Sequence, residues 1–106
     1  MSDPPGIVQL RRGGLYLSSA LCAKFFPGLE TVILLRRDRD LLILPVRHAA
    51  AGGYLLKLRN SAGDRVVFAP DFFREHGFED HVACEFAVDW DPEVAALTVR
   101  NAFPAN

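Results

Sequence analysis

From residue 60 to residue 79 the chain reads Asn60-Ser61-Ala62-Gly63-Asp64-Arg65-Val66-Val67-Phe68-Ala69-Pro70-Asp71-Phe72-Phe73-Arg74-Glu75-His76-Gly77-Phe78-Glu79. The chemistry runs loop, strand, helix, stop. Asn60 to Asp64 are residues that turn a backbone at little cost. Arg65 to Phe68 carries the β-branched and aromatic side chains that suit a pleated surface. Pro70 belongs at a first helical position, where its missing N–H has no intrahelical partner anyway. Asp71 puts negative charge in the first turn, where the helix dipole favours it. The helix runs through Phe72, Phe73, Arg74 and Glu75 and ends at His76-Gly77.

The flanks extend this pattern. Upstream, Leu56 and Leu58 alternate with Lys57 and Arg59, so Tyr54 to Arg59 has the period of a half-buried strand. Downstream, His81 to Val88 reads as a long strand and Asp89-Trp90-Asp91-Pro92-Glu93 as a turn. Val94 to Arg100 reads as the last strand and Asn101 to Asn106 as a short tail.

The first half of the chain has the same order. After a Pro/Gly-rich start, Ile7 to Arg12 is a strand that ends at Gly13-Gly14, and Leu15-Tyr16-Leu17 is a second apolar run. Ser18 or Ser19 N-caps a short helix that places Leu21 and Phe25 on one face and stops at Pro27-Gly28. Thr31 to Arg36 is a strand, Arg37-Asp38-Arg39-Asp40 a hairpin turn, and Leu41 to Val46 a strand apolar enough to be buried on both faces. Ala49 to Gly53 reads as a linker. Arg11 corresponds to Arg59, Leu17 to Phe68, Leu21 to Phe72, and Gly28-Leu29-Glu30 to Gly77-Phe78-Glu79, with small insertions between.

A unit of four strands and one short helix cannot bury its own apolar face. Two such units can close one barrel and cover each other's strand edges. The expected fold is therefore mostly β with two short helices. Residues 1–106 form one domain of two βαββ-type halves, about 7–48 and 54–100, closed into a pseudo-symmetric barrel.

The segment Asn60 to Arg74 resembles the strand–loop–strand–Pro–helix unit of the AbrB-type swapped-hairpin domains. Gly77-Phe78-Glu79-Asp80-His81-Val82 resembles that family's turn from helix into third strand, and Gly14 to Leu21 is a weaker match in the first half. Two copies in tandem resemble the MraZ-like members. The resemblance implies an interleaved barrel, an oligomer, and transcriptional regulation through double-stranded DNA. It also implies DNA-facing basic residues on the first strand and the loop after it, which here are Arg11, Arg12, Lys57, Arg59 and Arg65. The chain departs from the pattern at Asp71, where many relatives are basic, and at Ser19, where the first half would have proline.

Composition narrows the function. The 106 residues are 50% hydrophobic and 24% charged, which supports a packed core and excludes a disordered chain. The net charge of -1 excludes a nucleic-acid binder driven by bulk charge. Charge is uneven, near +3 over residues 1–53 and -4 over 54–106, as when one end attracts a partner or two copies meet through opposite faces. No apolar run approaches the roughly 20 residues of a membrane-spanning helix. Residues 1–6 lack a secretory pattern, and Cys22 and Cys84 do not make a disulfide framework, so a cytoplasmic setting is expected.

Several residues have two readings. Lys57 and Arg59, with Arg11 as counterpart, either track a DNA backbone or form a polar strand face that discourages edge pairing. Arg36, Arg37 and Arg39 either contact an anion or a protein partner, or form a solvated turn balanced by Asp38 and Asp40. Trp90 either anchors a partner or folds back onto its own hairpin. His76, His81 and Cys84 are spaced H-x4-H-x2-C, but His81 and Cys84 would point to opposite strand faces, so no metal is expected. Cys22 reads as a core residue. No G-x-S-x-G, Walker, H-E-x-x-H or dinucleotide fingerprint occurs, so neither an enzyme nor a cofactor is expected. The expected function is an AbrB/MraZ-like DNA-binding regulator. The alternative is a non-enzymatic accessory or assembly protein on the same fold that binds a protein partner or self-associates.

Overall fold

The computed structural model describes residues 6–46, 53–79 and 83–103. The elements are β1 (Gly6–Arg11), β2 (Gly14–Leu17), α1 (Ser19–Phe25), β3 (Thr31–Arg37), β4 (Asp40–Val46), β5 (Tyr54–Leu58), β6 (Arg65–Phe68), α2 (Pro70–Glu75), β7 (Ala83–Asp91) and β8 (Ala96–Val99). The strands form a closed antiparallel barrel in the order β1-β2-β6-β5-β3-β4-β8-β7. The fold is mostly β with two short helices, as the periodicity predicts. Ala49 to Gly52 of the expected linker, the first five residues, Asp80 to Val82 and residues 104–106 lie outside the described residues.

Strand pairing maps onto itself when β1 to β4 are exchanged for β5 to β8. β1–β2 becomes β5–β6, β1–β7 becomes β5–β3, and β3–β4 becomes β7–β8, while β2–β6 and β4–β8 map onto themselves. The inward residues alternate along each strand, as a barrel requires. Val8, Leu10, Leu15, Leu17, Val32, Leu34, Ile43, Leu56, Val67, Val88 and Leu97 build one core, joined by Leu21 and Cys22 of α1 and Phe73 of α2.

The tip of each first hairpin meets the helix of the other half. Arg12 and Gly13 both have positive φ (50° and 76°), the geometry of a two-residue turn that matches strand twist. A Cβ on Gly13 would lie 2.6 Å from Cβ of Pro70, and the N–H of Ala69 donates to the Gly13 carbonyl at 2.9 Å. In return, the loop after β5 reaches α1. The backbone N–H of Ser19 donates to Oδ1 of Asp64 at 2.8 Å, beside the local cap in which the Leu21 N–H donates to Ser18 Oγ at 3.2 Å. Ser18 is thus the N-cap.

Three expectations need correction. The acidic segment Asp89 to Glu93 is not a turn at its start: β7 runs through Asp91, with Asp89, Trp90 and Asp91 paired to Thr98, Leu97 and Ala96. The turn falls at 92–95, and β8 is correspondingly Ala96–Val99. The correspondence of Leu17 with Phe68 is off by one. Leu17 is buried and Phe68 is 60% exposed, so the inward counterpart is Val67. The tail is not free either, because Ala102 and Phe103 are buried. Phe103 is fixed by its N–H to the Arg39 carbonyl at 3.0 Å, and its ring lies 6.1 Å from Phe72 and 5.7 Å from Phe78.

Two stability tests follow from this packing. Phe103→Ala is expected to lower the unfolding free energy by about 3–5 kcal/mol in urea denaturation. Thr98 is buried, and its Oγ1 has no hydrogen-bond partner among the described residues. Thr98→Val is expected to raise stability by about 1 kcal/mol in the same assay, since the apolar isostere has no hydroxyl to desolvate.

Candidate nucleic-acid interface

Closure of the barrel sends alternate residues of β1, β2, β6 and β5 outward in register. One cross-strand row runs Glu85, Gln9, Tyr16, Val66, Lys57. The next runs Ala83, Arg11, Gly14, Phe68. Tyr16 therefore stands near the middle of the outer face, beside a glycine that leaves room for its ring: a Cβ on Gly14 would come within 3.2 Å of the ring edge.

Two of the expected DNA-facing residues converge there. The Arg11 guanidinium sits over the Tyr16 ring with Cζ 4.5 Å from the centroid, and Arg59 does the same at 4.8 Å. Cation–π contact of this kind contributes about 0.5–1 kcal/mol at exposed sites. Its larger effect here is to hold planar, multi-donor groups in place over a rigid sheet. Lys57 is exposed in the Tyr16 row and Arg12 is exposed at the β1–β2 tip.

Arg65 is not brought to this face. It shares the inward parity of Val67, and its Nη1 donates to the Leu56 carbonyl at 3.0 Å. The opposite charge is also present. Gln9 Nε2 donates to Glu85 Oε2 at 3.3 Å, and a groove of about 310 Å³ beside Tyr16 is bounded by Arg59, Asp64 and Glu85.

The residues read as partner contacts are engaged within the chain. Arg36 lies over the Phe103 ring at 5.0 Å and donates Nε to the Asp38 carbonyl at 2.6 Å. Arg39 Nε donates to the Phe103 carbonyl at 3.2 Å, and Arg37 pairs with Asp91 at 3.4 Å. Trp90 is half-buried and stacks on Phe25 of α1, with centroids 5.2 Å apart and planes 9° apart. Sequence reasoning passed over Tyr16 and Phe103. Tyr16 was signalled by its outward parity with Gly14, and Phe103 by no local pattern.

The arrangement can bind an oxyanion through fixed guanidinium groups. No cluster of metal ligands occurs among the described residues, and no helix there is long and apolar enough to cross a membrane. His76 packs on Phe72 at 4.6 Å and Phe103 at 5.2 Å, His81 lies outside the described residues, and Cys84 of β7 pairs with Leu10 of β1. Burial pushes the Cys22 thiol up, with Arg65 opposing, which keeps it protonated in the core. The chain matches no family model, no curated protein and no solved structure.

Asp64 links this face to the fold. Its carboxyl is held below the usual carboxylate range by the Asn60 side-chain amide, then by the Ser19 N–H, with Arg59 adding to the effect. A carboxyl whose folded pKa is depressed stabilises the fold fully above its unfolded pKa of about 3.9, and that contribution is lost as pH falls through the lower folded value. An NMR titration is expected to place the Asp64 midpoint below that of a model aspartate. Asp64→Asn is expected to flatten the acid limb of the stability profile below about pH 4.

Proposed function

We propose that this chain is a small, non-catalytic DNA-binding regulator of the cytoplasm that meets duplex DNA with the outer face of β1, β2, β6 and β5. The observation that carries this proposal is the convergence of Arg11 and Arg59 on Tyr16, with Lys57 in the same row and Arg12 at the adjoining tip. Phosphate contacts need fixed cationic donors on a surface that can lie along a duplex, and a rigid sheet face supplies one. The resemblance of Asn60 to Arg74 to the AbrB/MraZ-like unit points the same way, as does that family's oligomeric habit. A net charge of -1 makes the affinity depend on this local patch, because the rest of the surface repels phosphate.

A second proposal has its own observation. Phe68 and Leu55 are 60% and 61% exposed next to the basic rows, which favours an accessory or assembly protein that binds a protein partner on the same fold.

Duplex affinity measured by fluorescence anisotropy between about 50 and 200 mM salt is expected to fall with a log–log slope of about -2.7 to -3.6, about -0.9 for each of three to four phosphate contacts. Arg11→Ala and Arg59→Ala are each expected to reduce that slope by about one. Absence of duplex binding at low salt, or binding that the double variant leaves unchanged, would refute duplex recognition by this face.

A further inference from the structure

The strand register fixes where the internal two-fold axis of the barrel leaves its surface. Two turn glycines mark the correspondence between halves. Gly13 (φ 76°) lies against Pro70, and a Cβ on Gly63 (φ 95°) would come within 3.2 Å of Ser19 Cβ, so each presses on the start of the other half's helix. Matching Gly13 to Gly63 places Leu17 on Val67 and Tyr16 on Val66. Tyr16 and Val66 are themselves a cross-strand pair of β2 and β6. The axis therefore passes between them, at the centre of the basic face. The pairs Val8↔Leu17 and Leu56↔Val67 carry the same exchange into β1 and β5, where it matches Gln9 with Lys57 and Arg11 with Arg59.

Arg11 and Arg59 are thus one position used twice. Their Cζ atoms lie 4.5 and 4.8 Å from the centroid of the same Tyr16 ring. The two carbons are therefore at most about 9 Å apart, and the ring offsets only part of their repulsion. Among the described residues neither guanidinium has a carboxylate within ion-pair distance. Two anionic groups related by the same axis would relieve both cations at once.

A DNA duplex offers such a pair. Its antiparallel strands are exchanged by two-fold axes that run through the grooves, so each arginine meets one strand in the same way. The spacing selects the groove. Charges no more than about 9 Å apart can flank a minor groove about 6 Å wide, but fall short of both sides of a major groove about 12 Å wide. A·T-rich sequence narrows the minor groove and deepens its negative potential, which draws arginine.

We propose that one copy of the chain sets its internal two-fold axis on that of an inverted-repeat duplex with an A·T-rich centre, with Arg11 and Arg59 on opposite strands across the minor groove. The proposal rests on the DNA-binding reading and adds the symmetry, groove and base composition of the target. Two-fold sites ordinarily mirror the symmetry of two chains. Here one chain supplies both arms.

The probes are two self-complementary duplexes with G·C flanks, one centred on AATT and one on GGCC, followed by fluorescence anisotropy with the full chain. The AATT duplex is expected to bind about fivefold tighter or more, the effect of one favoured base pair. Replacing one phosphate that flanks the central minor groove by a neutral methylphosphonate, on one strand only, is expected to lower the wild-type salt slope by about one. Turning round on the site does not spare the wild type, because each arm needs a charge. Arg11→Ala and Arg59→Ala are each expected to be indifferent to that single replacement on either strand, since the variant can set its missing arm there. Each is expected to lose about one further unit of slope when the two symmetry-related phosphates are both neutral.

Absence of binding to either duplex would end the DNA-binding reading and this proposal together. The other contrary results leave that reading standing and overturn the proposal alone. Equal affinity for the two centres would remove the A·T-rich minor groove. A wild-type chain unaffected by a single neutral phosphate at every position near the centre would mean that both arginines lie on one strand. A single variant indifferent even to two neutral phosphates would mean that two copies bind, each through the same arginine.

Discussion

The tip of each first hairpin rests on the first turn of the other half's helix, and the barrel depends on that exchange. Gly13 lies against Pro70, so close that a single added carbon would collide with the proline ring. Asp64 reaches the Ser19 N–H from the other direction. Neither contact is available to a half on its own. β2 and β6 pair with each other, as do β4 and β8, so each half completes its sheet only with strands from the other. Closure then removes most free edges and drives the alternate residues of every strand into one core. The two contacts solve one problem by different means. At Gly13 the solution is steric, an absent side chain in a positive-φ turn. At Asp64 it is electrostatic, a carboxylate whose low pKa reflects the donors it satisfies.

That constraint explains why the basic and aromatic surface features lie outside the barrel. Among the described residues the interior is occupied mainly by Val, Leu, Ile and Phe side chains. The helices are short and spend Leu21, Cys22 and Phe73 on the core. What remains is the outer row of residues, fixed in register by pairing that cannot slip without turning the core outward. Arg11 shares a hairpin with Tyr16, whereas Arg59 owes its proximity to the ring to that register. Arg59 comes from the far half of the chain and reaches the ring because β2 and β6 are neighbours.

Local pattern was enough to read the eight strands, both helices and the order of the halves, because each has a clear period or a Pro/Gly stop. Its failures share a cause. Asp89-Trp90-Asp91 has turn chemistry, yet these residues pair with Thr98, Leu97 and Ala96 of β8, and Trp90 stacks on Phe25 from the other half. Phe103 follows the last strand in a stretch with no periodicity, and only the distant Arg39 and Phe72 make a place for it. Arg65 looked equivalent to Lys57 and Arg59 by charge, but one step of the strand period turns it to the inward side. The basic face was legible as a set of residues and not as a shape. Which of them met was decided by closure between halves, and single-sequence periodicity carries no information on that.

A pseudo-symmetric barrel also shows where its two halves differ. Positions that both halves share are committed to closure, so the places where they differ are those that closure leaves free. Two such differences stand out. The first hairpin turns tightly at Arg12-Gly13 in one half, and in the other passes through the longer loop Asn60 to Asp64 that follows Arg59. The second is the length of cover on the first strand of each half, long on β1 and short on β5. Exposing a leucine and a strand edge costs solvation and invites unwanted pairing, and Lys57 and Arg65 sit where they limit both.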